Sequence, residues 1–532
     1  MTAGFSSWKN RLIHGRNRVG AISHSRECNA VVLLCFTVLI FGCEIKGDLS
    51  TADKPNIVIF LVDDMGYGDV GIYNHNSKIP TPHIDDLARE GMRFMDAHAP
   101  GAVCHPSRYG LLTGRYPFRT NTDLWPDQPV IGEGRMTIAS LLRSQGYRTA
   151  MVGKWHLGFD ESGSFDHSPS DEVNAGNNTR TALRQYENPL PGGPVDRGFD
   201  SFFGIRASTD IPPYFYIRED RPLTSPTDFI ESNYSDGWSK IQGAFWRAGG
   251  ITPDLELIDV LPRFTEEAVR VIQDHEATNA DQPIMLYVAY PAPHTPWLPT
   301  EPYEGRSGAG MYGDFMTMVD SNIGEILQVL EQSGLSEETL VIFTSDNGPV
   351  WYEEDTGRFD HDSMGGLRGM KGDAFEGGHR MPFIIRWPGL VKAGSVTHQT
   401  VSFVDLMATI ADLADTDLPD NAGEDSFSLL PVLLGNQQEN APIRPPVVSV
   451  SSQGVRAIQD GQWKLIGALG SGGFTRPVHI EPGPGDPEGQ LYNLMEDPGE
   501  TNNLWHERPA VVDRFNNLLN ELDQSGGSRS LD

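Results

Sequence analysis

The chain has 532 residues, 38% of them hydrophobic, and a formal net charge of −31 at neutral pH. This length is too great for one small core, so we expect one large domain and a smaller one. The acidic balance repels a nucleic-acid backbone and argues against that class of partner. An anionic ligand would need a local cationic pocket.

The first 48 residues have the pattern of an export segment. Several Lys and Arg residues precede the stretch "NAVVLLCFTVLIFGC", whose apolar run of about a dozen residues has signal-peptide length and is short for a membrane span. Gly42 and Cys43 resemble a bacterial lipoprotein cleavage box, although Phe41 stands where a small residue is usual. Lipidation at Cys43, plain signal cleavage near residues 43–50 and an uncleaved anchor stay open. All three predict an exported protein, periplasmic or extracellular, with membrane contact only through this segment.

The cysteine count follows from that segment. Of four cysteines, Cys28, Cys35 and Cys43 lie in it, and the folded body keeps Cys104 alone. An intrachain disulfide is therefore excluded in the body.

From residue 55 onward, short apolar runs alternate with amphipathic helices. "NIVIFLV" reads as a strand buried on both faces. "TPHIDDLAREG" reads as a helix with Thr81 as N-cap, Pro82 in the first position and Gly91 as the stop. "YRTAMVG", "PIMLYVAY" and "TLVIFTS" are further strands, with helices such as "PRFTEEAVRVIQDHE" between them. This alternation predicts an α/β fold, with a doubly wound, mostly parallel sheet over residues 49–440.

Two segments depart from the alternation. Residues 159–250 are rich in Asn, Asp, Pro, Gly and aromatic residues without a clean period, and we interpret them as a variable, substrate-facing insertion. Residues 441–532 contain "PVVSVSSQGVRAIQDGQWKLIG", which reads as antiparallel strands turning at Asp460 and Gly461. With the helix "PAVVDRFNNLLNELD", they predict a small C-terminal α+β domain.

Polar residues follow four of the predicted strands where each strand ends. They are Asp63 and Asp64, Lys154 and His156, His294, and Asp346 and Asn347. In open α/β sheets ligands bind beyond the carboxyl ends of the strands, so these residues can converge on one site.

The two acidic pairs indicate a metal. Asp63, Asp64, Asp346 and Asn347 offer only oxygen ligands, which suits Ca²⁺ or Mg²⁺ rather than zinc. A single Asp after a strand is more often a turn former or a helix cap. Because two such pairs follow two apolar strands, the sequence supports metal binding as strongly as it supports turn formers or helix caps.

The lone cysteine stands where a helix is predicted to begin. With Pro106 in the first helical position, Cys104 lies at the helix N-terminus, where the dipole and free N–H groups favour negative charge. Arg108 adds positive charge one turn on. Together with Lys154, His156, His294 and Lys371, these residues describe a nucleophile above a pocket for a tetrahedral oxyanion. The competing interpretation of Cys104 is a small buried hydrophobic residue.

These residues lie in motifs that resemble a known family. "CHPSRYGLLTGR" fits the pattern C-x-P-S-R-x-x-x-L-T-G-R, and "GYRTAMVGKWHLG" fits a second signature. "NIVIFLVDDMGYGD", "TSDNG", "LRGMKGDAFEGGHRMPF" and "LYNLMEDPGETNNL" are also similar to family segments. The sequence resembles the type I sulfatases, a branch of the alkaline-phosphatase superfamily, and the resemblance implies that superfamily's fold.

The resemblance also implies a chemistry for Cys104. In the family a dedicated enzyme oxidises this cysteine to Cα-formylglycine, and the C-x-P-x-R core is its recognition tag. One hydroxyl of the hydrated aldehyde attacks sulfur, and the other later expels sulfate. By the same resemblance, Ca²⁺ is bound by Asp63, Asp64, Asp346 and Asn347, together with residue 104.

The remaining roles are carried over position by position. Arg108 stabilises the hydrated aldehyde, and Lys154 and Lys371 hold the sulfate oxygens. His294, with Lys371, protonates the leaving alcohol. His156 takes the proton from the second hydroxyl.

The expected function is hydrolysis of a sulfate ester, of a sulfated carbohydrate or another compound. Galactose-type and N-acetylhexosamine 6-sulfates are the substrates that the motif style favours. We expect specificity to lie in residues 159–250 and near Trp297. Two alternatives stay open: a phosphodiesterase or phosphonate hydrolase of the same superfamily, and a non-catalytic binder of sulfated glycans.

Overall fold

The computed structural model describes residues 54–126, 128–161, 188–279 and 281–529. The predictions for the first 48 residues, including lipidation at Cys43, fall outside these ranges. Within them, we find no helix with the length and apolar character that a membrane crossing requires.

The strands are numbered along the chain. They are β1 (Asn56–Asp63), β2 (Met92–Phe94), β3 (Ala97–His98), β4 (Arg148–Lys154), β5 (Ser201–Ile205), β6 (Ile217–Arg218), β7 (Arg221–Pro222), β8 (Asp228–Ile230), β9 (Gly249–Ile251), β10 (Ile284–Pro293), β11 (Thr339–Ser345), β12 (Phe383–Arg386), β13 (Ser395–Thr397), β14 (Val401–Ser402), β15 (Val447–Val450), β16 (Arg456–Asp460), β17 (Trp463–Ile466) and β18 (Gln490–Asn493).

The α-helices are numbered in the same way. They are α1 (Pro82–Glu90), α2 (Cys104–Thr113), α3 (Ile138–Ser144), α4 (Val260–Asn279), α5 (Gly310–Gln332), α6 (Glu353–Phe359), α7 (Glu376–His379), α8 (Leu406–Leu413), α9 (Leu430–Leu433) and α10 (Pro509–Ser525).

A large sheet with helices on both faces forms the centre of the molecule. Its strand order in the described residues is β13-β2-β12-β11-β1-β10-β4-β5-β6-β7. The five strands from β11 to β5 run parallel, and antiparallel pairs flank them. The predicted doubly wound, mostly parallel α/β fold is confirmed.

Strand β1 shows why an uninterrupted apolar run is needed at the centre. Ile57, Ile59 and Leu61 belong to a core on one face, which includes side chains of α2, α3 and α8. The alternate residues, from Val58 to Val62, belong to a second core with side chains of α1, α4 and α5. A strand whose side chains point alternately into two apolar cores can carry polar side chains only at its ends.

Two helix starts refine the predictions. The bounds of α1 agree with them, but the Thr81 hydroxyl accepts a hydrogen bond from the Gly71 backbone N–H (3.0 Å) and forms no cap. Helix α2 begins at Cys104, so Pro106 is its third residue and not its first. The first helical hydrogen bond is donated by the Ser107 N–H to the Val103 carbonyl (3.3 Å). A proline fits in the first turn because N–H groups there have no partner within the helix, so none is lost.

Part of the segment 159–250 belongs to the central sheet. Strand β5 pairs in parallel with β4, and β6 and β7 extend the same edge. The irregular composition around "SFFGI" concealed this strand from the sequence analysis. Residues 162–187 of the segment lie outside the described ranges.

The C-terminal region forms a second, smaller sheet. Strands β15 to β18 are antiparallel in sequence order, and β16 turns into β17 after Asp460, as predicted. Phe515 of α10 is buried against Ile458, Leu465 and Leu491 of this sheet. The predicted antiparallel sheet with a closing helix is thus confirmed, and it belongs to the same compact unit as the central sheet.

Strands β4 and β10 can lie close together because β4 has a glycine, Gly153, where the two strands meet. Gly153 has φ = 118°, and a β-carbon there would lie 2.0 Å from the Ala289 carbonyl oxygen. We expect Gly153→Ala to lower the free energy of unfolding by at least about 3 kcal/mol, since strain and a backbone clash add. Chemical denaturation measures this loss.

Gly146→Ala is the matched control. Gly146 also has positive φ (88°) but open space around its β-carbon position. Gly146→Ala should lower the free energy of unfolding by only about 1–2 kcal/mol, the cost of a left-handed backbone conformation in a residue with a β-carbon. Equal losses in the two variants would contradict the steric explanation.

Candidate active site

The residues predicted at the strand ends meet at one edge of the parallel sheet. Strands β11, β1, β10 and β4 are neighbours in that order. Asp346 and Asn347 follow β11, Asp64 follows β1, and His294 follows β10. Asp63 and Lys154 are the last residues of β1 and β4. The predicted convergence of these ends therefore results from the strand order itself.

Buried cations face the buried carboxylates. The Arg108 guanidinium on α2 donates to Asp346 Oδ2 from Nε (2.9 Å) and to the Lys154 carbonyl from Nη1 (3.0 Å). The Lys154 ammonium donates to Asp63 Oδ2. The side chains of Arg108, Lys154, Asp63 and Asp346 are at most 1% exposed. Charges so far from water persist only when they are paired.

The donor set at this edge fits a hard divalent cation. Ligand atoms of Asp63, Asp64, Asp346 and Cys104 all lie within 4.8 Å of one another. The Asn347 amide donates to Asp64 Oδ1 (2.7 Å), whereas its own Oδ1 is buried with no hydrogen-bond partner among the described residues. An unpartnered buried oxygen beside three carboxylates is what Ca²⁺ or Mg²⁺ would satisfy.

Lys371 and His294 both approach the carboxylate of Asp64. Lys371 Nζ lies 2.6 and 2.7 Å from the two oxygens of Asp64 and 3.5 Å from Cys104 Sγ. His294 Nε2 lies 3.6 Å from Asp64 Oδ2, and Nδ1 lies 2.7 Å from the Thr295 carbonyl oxygen. Cys104 Sγ in turn lies 3.2 Å from Asp63 Oδ1. Residue 104 is therefore at the centre of the cluster.

The thiol of Cys104 is not activated in this setting. Burial raises its pKa well above the ordinary value, and the charges of Asp346 and Asp63 raise it further. These two causes oppose the effect that we expected from the helix N-terminus, and the nearby Lys154 and Lys371 offset them only in part.

His156 is held as a neutral base. Burial lowers the pKa of its imidazole well below the ordinary value, and Lys154 lowers it further. Its ring packs edge-on against Trp125 at 4.6 Å between centroids, and Nδ1 is buried without a hydrogen-bond partner among the described residues. A neutral imidazole with a free nitrogen can accept a proton.

A cavity of about 230 Å³ opens above the cluster. The site residues that line it are Asp64, Cys104, His156, His294 and Lys371. The predicted residues Asp63, Arg108, Lys154, Asp346 and Asn347 lie outside this lining and hold it from beneath.

Several residues of the cavity wall were not singled out from the sequence. Asp210 and Arg247 form an ion pair there, and Phe474 reaches it from the C-terminal region. Asp210 and Arg247 lie in residues 159–250, the segment in which we expected specificity, but no spacing marks any of the three. Trp297 also lines the cavity, yet it is 2% exposed and packs edge-on against Trp238 at 4.8 Å, as a core residue does.

Comparison with known proteins decides the family. Residues 55–416 match the model of the Sulfatase family. The chain belongs to the sulfatase family. Sulfatases are sulfuric ester hydrolases, and hydrolysis of sulfate esters is the activity of this protein.

Similar sulfatases are known from bacteria and animals. The chain is 33% identical to N-acetylgalactosamine-6-O-sulfatase of Bacteroides thetaiotaomicron, over 92% of this chain and 98% of that one. It is 33% identical to human arylsulfatase A, over 86% and 84% of the two chains. A structure from work on glycosaminoglycan metabolism by Bacteroides thetaiotaomicron superimposes with a TM-score of 0.73 at 31% identity, covering 88% of this chain and 99% of the other.

Lys371 offers a direct test of the site. We expect Lys371→Ala to lower kcat/KM for an aryl sulfate such as 4-nitrophenyl sulfate by about 100-fold or more, because a preorganised positive charge is lost. Lys392→Ala, which removes an exposed lysine, is the control and should keep normal kinetics. Circular dichroism should show both variants folded. A near-normal rate for Lys371→Ala would remove this residue from the site.

Proposed function

We propose that this sulfatase is an exported carbohydrate sulfatase that cleaves 6-sulfate esters of galactose-type sugars, above all N-acetylgalactosamine 6-sulfate. It would use Cα-formylglycine formed from Cys104, and a bound Ca²⁺. The observation that carries the proposal is the position of residue 104. Its side chain faces Asp63 and Lys371 inside a buried cluster of charges and lines the cavity.

The modification would give this position a nucleophile that does not depend on ionising a buried thiol. Burial and the carboxylates of Asp346 and Asp63 raise the pKa of the Cys104 thiol. When formed, the aldehyde hydrate supplies a hydroxyl nucleophile at this position. Arg108 donates hydrogen bonds to Asp346 and to the Lys154 backbone carbonyl. Its positive charge would stabilise the hydrated aldehyde.

The residues around it divide the remaining work. Lys371 faces the cavity and Lys154 lies beneath it, and both bind and orient the sulfate oxygens in the proposed reaction. His294 donates a proton to the leaving alcohol, and neutral His156 accepts a proton when sulfate is released. Ca²⁺ held by Asp63, Asp64, Asp346 and Asn347 would supply positive charge next to the sulfate.

Two observations support the sugar substrate. The relative from Bacteroides thetaiotaomicron named N-acetylgalactosamine-6-O-sulfatase aligns over nearly the full length of both chains. The cavity is small and suits one sugar residue, with Asp210 and Arg247 in its wall as hydrogen-bonding groups for sugar hydroxyls. We place the enzyme in the periplasm or outside the cell, with Cys43 as the candidate lipid anchor, on the strength of the N-terminal pattern alone.

The tryptic peptide of residues 94–108 tests the modification. In protein purified from its native host, we expect its mass to show an aldehyde in place of the Cys104 thiol, since the proposed nucleophile is the hydrate of that aldehyde. Cys104→Ala, which cannot be converted, should have the same fold and no turnover. A fully unmodified thiol in an active preparation would refute the proposed chemistry.

A panel of sulfated monosaccharides tests the substrate. Sulfate release from N-acetylgalactosamine 6-sulfate should exceed release from the 4-sulfate by about 100-fold in kcat/KM, because a site shaped around one ester position leaves buried polar groups unpaired with the other. Galactose 6-sulfate and N-acetylglucosamine 6-sulfate complete the panel. A preference for the 4-sulfate would contradict the proposed position.

A further inference from the structure

Lys371 reaches the site from the loop between α6 and α7, which we call the Lys371 loop. Its flexible side chain can be held in place only if the backbone beneath it is fixed. The Lys371 N–H donates to the Pro349 carbonyl (2.9 Å) and the Gly372 N–H to the Ala102 carbonyl (2.7 Å). These bonds tie the base of the loop to the site.

The far side of the loop is bound to the C-terminal region. Asp373 Oδ1 accepts hydrogen bonds from the backbone N–H groups of Phe474 (2.6 Å) and Thr475 (3.0 Å). The Ala374 N–H donates to the Ser471 carbonyl (2.8 Å). The C-terminal segment 471–475 therefore bonds to the residues that directly follow Lys371.

A buried ionic group extends this attachment to α7, which follows the loop. Lys464 of β17 donates from Nζ to Glu376 Oε1 (2.8 Å), and it lies 2.8 Å from Glu500 Oε1 and 3.2 Å from His379 Nε2. Glu500 Oε2 accepts a hydrogen bond from the Glu376 backbone N–H (2.8 Å). Lys464, Glu376 and Glu500 are at most 1% exposed.

Stability alone is a poor reason for this group. Removing three charges from water is costly, and apolar side chains of similar volume often stabilise a protein equally well. What a salt bridge with fixed hydrogen bonds provides is a defined geometry between two elements. Here the two elements are the C-terminal sheet and the helix that ends the Lys371 loop.

We propose that Lys464 and Glu500 are positioning residues for sulfate hydrolysis, which hold the Lys371 loop so that its ammonium group meets the sulfate. The C-terminal sheet, which lies beyond the family match at residues 55–416, is then part of the catalytic apparatus. The motif "LYNLMEDPGETNNL" gains a role, because it supplies Glu500. The inference rests on the proposed function of Lys371.

A double-mutant cycle tests the coupling. The variants are Lys464→Met, which keeps the length of the chain without its charge, Lys371→Ala, and both together, assayed with 4-nitrophenyl sulfate. We expect Lys464→Met alone to lower kcat by about 10- to 100-fold with a smaller change in KM, because a misplaced group costs catalysis steeply. In the Lys371→Ala background the same substitution should change kcat less than twofold, because the group that it positions is absent.

Controls separate positioning from folding and from maturation. Arg456→Met removes another cation of the same sheet, whose salt bridge with Asp523 faces solvent, and it should leave kcat unchanged. The tryptic peptide of residues 94–108 is quantified in every variant so that rates refer to converted protein. If Lys464→Met does not fold, Glu500→Gln takes its place, with the same lack of effect expected in the Lys371→Ala background.

The outcomes are distinct. Equal losses of kcat in both backgrounds, or a lower Tm with unchanged kcat, would overturn the positioning role while leaving the function of Lys371 intact. A normal rate for Lys371→Ala alone would overturn the proposed function of that lysine and the inference with it. A loss of kcat from Lys464→Met that is confined to the background with Lys371 supports the proposal.

Discussion

Carboxylates that have been removed from water need positive charge beside them, and this requirement organises the site. The charged side chains that meet at the sheet edge are Asp63, Asp64, Asp346, Arg108, Lys154 and Lys371. Three negative and three positive groups balance, so the cluster is neutral before any ligand arrives. A divalent cation would make it positive, which gives a chain of net charge −31 the local attraction that an anionic substrate requires.

The same requirement explains which parts of the chain must be rigid. Arg108 meets Asp346 only because α2 begins at residue 104, and that start also brings Cys104 to Asp63. Lys371 meets Asp64 from a loop whose next residue but one, Asp373, is bonded to the C-terminal region outside the central sheet. The chemistry is therefore distributed over strand ends, one helix start and one anchored loop, and the sheet provides their common frame.

Much of this arrangement could be predicted, for identifiable physical reasons. Asp63 and Asp346 can be recognised as site candidates because each follows an apolar run, and a strand buried on both faces tolerates polar residues only at its ends. Strand β5 escaped notice within an irregular segment. Asp210, Arg247 and Phe474 could not be predicted as individual site residues, because tertiary packing alone brings them to the cavity. The start of α2 was misplaced by two residues, since a proline is acceptable anywhere in a first turn.

The long sequence separations within the cluster also set an order in time. The helix with Cys104 is synthesised early, but the strands β10 and β11 and the loop with Lys371 follow some 180 to 270 residues later. Cys104 is 4% exposed once they have packed. During translation, the C-x-P-x-R motif thus precedes the later elements that bury it. In that interval the side chain of residue 104 is accessible, and slow elongation or delayed packing of β10 and β11 would lengthen it.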